Sequence, residues 1–214
     1  MKVLITGATS GIGQEVARIL RDRGDEVWVV VRDATKADLR DHAILADLND
    51  PLTLAPHLPD ELDAVVHSAG VVALDAIADA SAEEWEQQFR INLLAPAMLT
   101  RAALPALRRA SGTVVFVNSG AGLRVSPGWS AYAASKFGLR ALADGLREEE
   151  RSLRVTSVFP GRTATPMQVS VHEQEGAEYD AGRWIQPETV AQKIVDVLDL
   201  PADAVIPEVI IRPR

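Results

Sequence analysis

Tyr132 and Lys136 stand four residues apart in Trp129-Ser130-Ala131-Tyr132-Ala133-Ala134-Ser135-Lys136, a run otherwise made mostly of small residues. In a helix, that spacing puts both side chains on one face. An ammonium beside a phenol favours the phenolate and lowers a pKa that is ordinarily about 10. The pair is suited to moving a proton, but two helix residues with no chemistry would look the same. The rest of the chain has to decide.

A second stretch points to a phosphate-bearing ligand. Thr6-Gly7-Ala8-Thr9-Ser10-Gly11-Ile12-Gly13 follows the apolar run Val3-Leu4-Ile5 and leads into a segment of helical periodicity, with Val16, Ile19 and Leu20 on one side. Glycines let a backbone turn sharply and approach a pyrophosphate, which then rests on the following helix N-terminus. The spacing is G-x-x-x-G-x-G rather than G-x-G-x-x-G, and the plain alternative is a simple strand-to-helix turn. The next apolar run, Val27 to Val31, ends in Arg32-Asp33. An acidic side chain at such a strand end binds a ribose hydroxyl, whereas arginine accommodates a 2′-phosphate. Arg32 therefore favours NADP(H). A one- or two-residue shift that brought Asp33 to the ribose would favour NAD(H), and both charges could instead be solvated loop residues.

These residues need a frame, and the chain supplies an alternating one. Short apolar runs at 3–5, 27–31, 42–45, 64–66, 113–117, 155–159 and 209–211 read as strands. Between them lie helical stretches at 13–23, at 81–109 (opening with the capping-box pattern Ser81-x-x-Glu84), at 132–150 and at 187–198. Alternating strands and helices imply a doubly wound parallel sheet with helices on both faces, read here as a single α/β domain over residues 1–214. Ligands in such a sheet sit beyond the carboxyl ends of the strands. There the chain places Asp47-Leu48, His67-Ser68-Ala69-Gly70 and Asn118-Ser119-Gly120.

Composition excludes other classes. The net charge of −8 disfavours nucleic acid and anionic membranes as partners, and the absence of cysteine removes disulfides and thiolate chemistry. His42, His57 and His172 show no metal-ligand spacing, so no metal site is expected. No secretory signal or membrane-spanning run is apparent, and a cytoplasmic location is the expectation.

Taken in order, TGATSGIG (6–13), Asp47-Leu48, Ser68-Ala69-Gly70, Ile91-Asn92, SGAG (119–122), YAASK (132–136) and PGRTAT (160–165) resemble the short-chain dehydrogenase/reductase family from Met1 to about Met167. Ser119 lies thirteen positions before Tyr132, the spacing that family uses. The resemblance implies a Rossmann-type fold and an oxidoreductase that transfers a hydride between a nicotinamide cofactor and a small ketone, aldehyde or corresponding alcohol. By the same resemblance Tyr132 is the acid/base, Lys136 tunes its pKa and binds the nicotinamide ribose, and Ser119 bonds the developing alkoxide. Asn92 is the fourth member, its backbone carbonyl holding a water that passes protons towards the lysine. The sequence gives its own reason to notice Asn92: Pro96, four residues on, has no N–H for that carbonyl. A bend around the core is the plain alternative.

The cofactor contacts implied are Gly7, Thr9, Ser10, Gly11, Ile12, Gly13, Arg32, Asp47, Leu48, Ser68, Ala69, Gly70, Tyr132, Lys136, Pro160, Gly161, Thr163 and Thr165. The chain departs from the family in carrying His67-Ser68 where Asn-Asn is usual, and His67 is expected to be structural, beside the adenosine half. The segment 166–186 stands where the family places a substrate lid; here it is short, and Leu123, Trp129 and Trp184 are expected near the substrate. Arg124 could meet an acidic substrate or simply be solvated. The chain stops at EVIIRPR without the glycine-rich tail of many relatives, so a homodimer through the helices around 92–110 and 132–150 is expected more readily than a homotetramer. Two other readings stay open: a catalytically silent NAD(P)-binding regulatory protein, and an epimerase or dehydratase with tightly held NAD.

Overall fold

The computed structural model describes residues 1–51 and 56–214. Seven strands form one sheet: β1 (Lys2–Thr6), β2 (Glu26–Val31), β3 (His42–Leu45), β4 (Ala64–His67), β5 (Thr113–Val117), β6 (Arg154–Pro160) and β7 (Glu208–Ile211). They lie in the order β3-β2-β1-β4-β5-β6-β7, and every pairing is parallel. The order reverses between β1 and β4, which opens a crevice at their carboxyl ends.

Side-chain alternation along β1 shows how the two layers form. Val3 and Ile5 face α1 (Gly11–Asp22) with Val16 and Leu20, and the same cluster takes in Ile194 from a helix near the end of the chain. Leu4 faces the opposite cluster with Leu99, Leu107, Phe116 and Leu139. Apolar residues on both faces of a strand demand a helical layer on each side, and the sheet has both.

The expected long helix over 81–109 is broken in two. Helix α2 (Ala82–Phe89) starts at Ser81, whose hydroxyl accepts from the Glu84 amide while the Glu84 carboxylate accepts from the Ser81 amide. The turn Arg90–Leu94 then widens to π geometry before α3 (Ala95–Ala110) resumes. Pro96, unable to donate to Asn92 in an α-helical ladder, gives the physical reason for the break.

Helix α4 (Ser130–Glu149) carries Tyr132 and Lys136. The 166–186 segment is built as helix α5 (Pro166–Glu175) and a short turn at Ala181–Arg183, and α6 (Pro187–Leu198) follows. Among the described residues no helix is long and apolar enough to cross a membrane, and no group of three or more His, Cys, Asp or Glu could hold a metal ion.

Candidate active site

A cavity of about 1080 Å³ runs along the carboxyl edge of the sheet, and the loops after β1, β2, β4, β5 and β6 line it. Its floor is the β1–α1 turn. Gly7 has φ +71°, and a Cβ there would lie 2.7 Å from the Ala69 amide nitrogen. A Cβ on Gly13 would lie 2.4 Å from the Gly7 carbonyl oxygen. No side chain fits at either position, so the turn packs backbone against backbone. Ser10 stands at the N-cap of α1, yet its hydroxyl does not cap the helix. The first amides of a twelve-residue helix therefore lie at the cavity with that hydroxyl beside them. Such an arrangement suits a phosphate.

At the end of β2, Arg32 is exposed and lines the cavity, with no salt-bridge partner among the described residues. Asp33 is already committed. Its carboxylate accepts from the Thr35 amide at 3.0 Å and the Thr35 hydroxyl at 2.7 Å, capping the turn Ala34–Lys36. These bonds hold its pKa below the ordinary aspartate value. The turn also brings Lys36 to the cavity wall, a cation that the sequence reading missed. Only the loop geometry reveals it, because nothing in the local sequence fixes the direction of the turn.

Tyr132, Lys136 and Ser119 meet on the far side of β5. Tyr132 is 5% exposed and Lys136 4% exposed, and both line the cavity with Ser119. The Lys136 ammonium donates to the Val117 carbonyl at 3.2 Å and lies 5.7 Å from the centre of the Tyr132 ring. Burial pushes the Tyr132 phenol up to about 12, opposed by the Ser119 hydroxyl, and the same cause pushes Lys136 down to about 8. The phenol therefore stands above its ordinary value despite the ammonium on the same helix face. Desolvation of the phenolate is the largest cause of the rise.

Asn118, which the sequence places at a strand end without giving it a role, joins β5 to α4. Its amide donates to the Lys136 carbonyl at 3.1 Å and its side-chain oxygen accepts from the Ser119 amide at 2.8 Å. An asparagine immediately before the serine was the available signal.

Asn92 is completely buried and does not itself line the cavity, although Ile91 does. Its carboxamide accepts from the Val71 amide at 2.9 Å and donates to the Val71 carbonyl at 2.9 Å and to the Ser135 hydroxyl at 3.0 Å. Ser135 donates in turn to the Tyr132 carbonyl at 2.7 Å. A methyl group at Gly70 would lie 3.3 Å from the Asn92 side-chain oxygen and 3.8 Å from the Lys136 nitrogen, so the three positions converge.

Of the remaining sequence candidates, Thr9, Gly11, Ile12, Asp47, Leu48, Ser68, Ala69, Pro160, Gly161, Thr163 and Thr165 line the cavity. Gly13 lies beneath the floor instead. His67 does not line the cavity: its ring stacks on Phe116 with centres 4.9 Å apart and pairs with the Thr100 hydroxyl of α3 at 2.8 Å. Burial holds it neutral, its pKa pushed down to about 3.

The opposite end of the cavity is walled by side chains from distant parts of the chain. Trp129 packs edge-on against Tyr132 with ring centres 5.8 Å apart. The Arg162 guanidinium lies 5.9 Å from the Trp129 ring centre and 5.4 Å from that of Trp184. Glu175 of α5 grips the same guanidinium through two bonds of 2.7 Å. Val71, Val72 and Met167 add apolar surface, and Arg124 is exposed on the lining. Leu123 does not reach the cavity.

Comparison with known proteins agrees with this architecture. The sequence profile of the short chain dehydrogenase family matches residues 1–176. An uncharacterized oxidoreductase of Schizosaccharomyces pombe is 34% identical over 194 residues, covering 84% of this chain and 78% of that protein. An alcohol dehydrogenase from the archaeon Thermococcus sibiricus, solved with 5-hydroxy-NADP, superposes with a TM-score of 0.89 at 23% identity, covering 100% of this chain and 97% of that one. A chain from Shigella flexneri, assigned as a short chain dehydrogenase and solved with NADP, gives a TM-score of 0.87 at 25% identity over 98% of this chain and 95% of that one. The all-parallel sheet, the glycine-floored cavity and the matched residues lead to one conclusion: this chain belongs to the short-chain dehydrogenase/reductase family and is an NAD(P)-dependent oxidoreductase.

Proposed function

We propose that the chain reduces a small ketone or aldehyde, or oxidises the corresponding alcohol, with NADP(H) preferred over NAD(H) and Tyr132 as acid/base. The observation that carries this reading is the meeting of Tyr132, Lys136 and Ser119 in one cavity whose other end is a glycine floor on a helix N-terminus. The floor, the Ser10 hydroxyl that does not cap the helix, and Arg32, without a salt-bridge partner among the described residues, fit a dinucleotide that carries an extra phosphate. When bound, the nicotinamide supplies or accepts the hydride, and the protein supplies the proton and the field.

With its pKa raised to about 12, Tyr132 is protonated at neutral pH and ready to donate to an oxygen that gains charge. Ser119 faces the same phenol and gives a second donor for that oxygen. Lys136, with its pKa near 8, is mostly protonated at neutral pH and adds positive charge behind the tyrosine. Asn92 and Ser135 fix the start of α4 from beneath, so the phenol is held by the helix that carries it. The apolar far wall, with Trp129, Met167 and Trp184, suits the carbon skeleton of a small carbonyl compound, and the NADP-bound Shigella flexneri structure supports the cofactor preference.

Titration with NADPH and NADH, followed by nicotinamide fluorescence, tests the reading. NADPH is expected to bind at least about tenfold more tightly, a difference of about 1.4 kcal/mol. Screening small aldehydes and ketones for NADPH oxidation then identifies the carbonyl. Equal affinities would remove Arg32 from phosphate recognition, and a failure to bind either cofactor would end the proposal.

A further inference from the structure

Gly70 to Leu74 leads on from β4 towards α2, and Gly70, Val71 and Val72 line the cavity. The segment belongs to no strand of the sheet, so its backbone groups need partners from elsewhere. Asn92 serves Val71, as described above. Gln88, one helical turn earlier, does the same for Ala73: its side-chain oxygen accepts from the Ala73 amide at 3.2 Å and its amide donates to the Ala73 carbonyl at 3.2 Å. Gln174 of α5 then accepts from the Leu74 amide at 2.8 Å. Val71 and Ala73 are two residues apart, the repeat of an extended chain, while Asn92 and Gln88 are four apart, the repeat of a helix. Two carboxamides stacked on one helix face thereby replace the neighbouring strand this segment lacks.

Gln88 is 1% exposed, and a glutamine is a costly choice at such a place unless its polar groups are used. Apolar residues of similar size would fill the same volume. They would leave the Ala73 amide and carbonyl without partners, and the wall with one clamp fewer. We propose that Gln88 is a positioning residue, holding the Gly70–Leu74 segment as the cavity wall beside Lys136 so that the nicotinamide half of the site is preformed. Gln174 extends the same hold to α5, tying the far wall of the cavity to this segment. The proposal rests on the dinucleotide reading above for what the wall faces, and on the four bonds to Val71 and Ala73 for how it is held.

Hydrogen–deuterium exchange of the full-length protein, alone and with NADPH, tests it together with NADPH titration. In Gln88→Met, amides of residues 70–76 are expected to exchange about tenfold faster while those of β1 and β5 stay as in the wild type, and the Kd for NADPH is expected to rise about fivefold. Gln88→Glu keeps an acceptor for the Ala73 amide but sets a buried carboxylate against the Ala73 carbonyl, so it should speed exchange at 70–76 at least as much as Gln88→Met. Gln174→Ala, at an exposed position, gives a further variant that is expected to fold and to speed exchange at Leu74 alone. Unchanged exchange at 70–76, or equal acceleration in every peptide, would overturn the hold on the segment. Faster exchange at 70–76 with unaltered NADPH affinity would overturn its role in preforming the site. If the wild type bound no NADPH, the dinucleotide reading would fall and the preformed nicotinamide half with it. Exchange in the ligand-free proteins would still show whether Gln88 holds the segment.

Discussion

The two ends of the cavity are built by different means. The glycine-floored end is made of backbone: strand ends, a tight turn and a helix N-terminus, where Gly7 and Gly13 leave no room for a side chain. The far end is made of side chains, with Trp129, Arg162, Glu175 and Trp184 meeting from four separate segments. Backbone packing admits few solutions and fixes one ligand shape. Side-chain walls change with single substitutions, so they can be retuned without disturbing the floor. Tyr132, Lys136 and Ser119 stand where the two ends meet and should answer to both.

That junction gives the largest expected effect. Tyr132→Phe removes the proton donor but keeps the ring that packs against Trp129, so turnover of any carbonyl substrate should fall by about a thousandfold. The Kd for NADPH should stay within about twofold of wild type, as befits a change that leaves the floor intact. Steady-state kinetics beside a fluorescence titration gives both numbers. Retained turnover would remove Tyr132 from the chemistry, and lost cofactor affinity would mean that the two ends are not separable.

Arg32→Ala asks whether charge at the backbone-built end is as specific as its shape. Loss of one charge-assisted contact to a phosphate should weaken NADPH by about thirtyfold and leave NADH nearly unchanged. The Asp33 carboxylate should not take over the ribose, since both Thr35 donors hold it. Parallel losses for both cofactors would show that Arg32 acts on the loop and not on the phosphate.

His67 ties β4, whose end supplies Ser68 to Gly70, to α3 through Thr100. Its pKa is about 3 in the fold against 6.5 for the free side chain, so between those values the unfolded chain binds more protons than the folded one. Stability should therefore fall as the pH drops through that window, by at most about 1.4 kcal/mol per pH unit from this group. Chemical denaturation at a series of pH values, compared with His67→Gln, reads the slope. The variant should be flatter below pH 6.5, and equal slopes would assign acid sensitivity to other groups.

The sequence made the two ends unequally legible. Glycine spacing, alternating apolar runs and the Tyr132-Lys136 interval are local patterns, so the sheet, the β1–α1 turn and helix α4 could be placed from them. Pro96 shows the missing amide opposite the Asn92 carbonyl, but the helix still reads as continuous over 81–109, because the widened turn at Arg90–Leu94 is set by the packing around it. The far wall leaves no such trace. Nothing local in the sequence pairs Arg162 with Glu175, thirteen residues on, and Leu123 looked as suitable as Trp129 although it does not line the cavity. The rise in the Tyr132 pKa was hidden likewise, because spacing reports proximity to Lys136 and burial is decided by the whole fold.

The smallest expected effect belongs to the side-chain end. Glu175→Gln removes the charge that neutralises Arg162, a pair whose side chains keep 25% and 33% of their surface exposed. Solvent screening limits such a pair to about 1 kcal/mol or less, so Tm should move little and NADPH affinity not at all. The change should appear in selectivity, because the guanidinium between Trp129 and Trp184 would then lack its carboxylate. A carboxylate-bearing aldehyde such as 4-carboxybenzaldehyde should gain about threefold in kcat/KM relative to benzaldehyde. An unchanged ratio would place Arg162 outside the path of the substrate. A loss of NADPH binding would instead show that α5 reaches across to the glycine floor, and the division between the two ends would no longer hold.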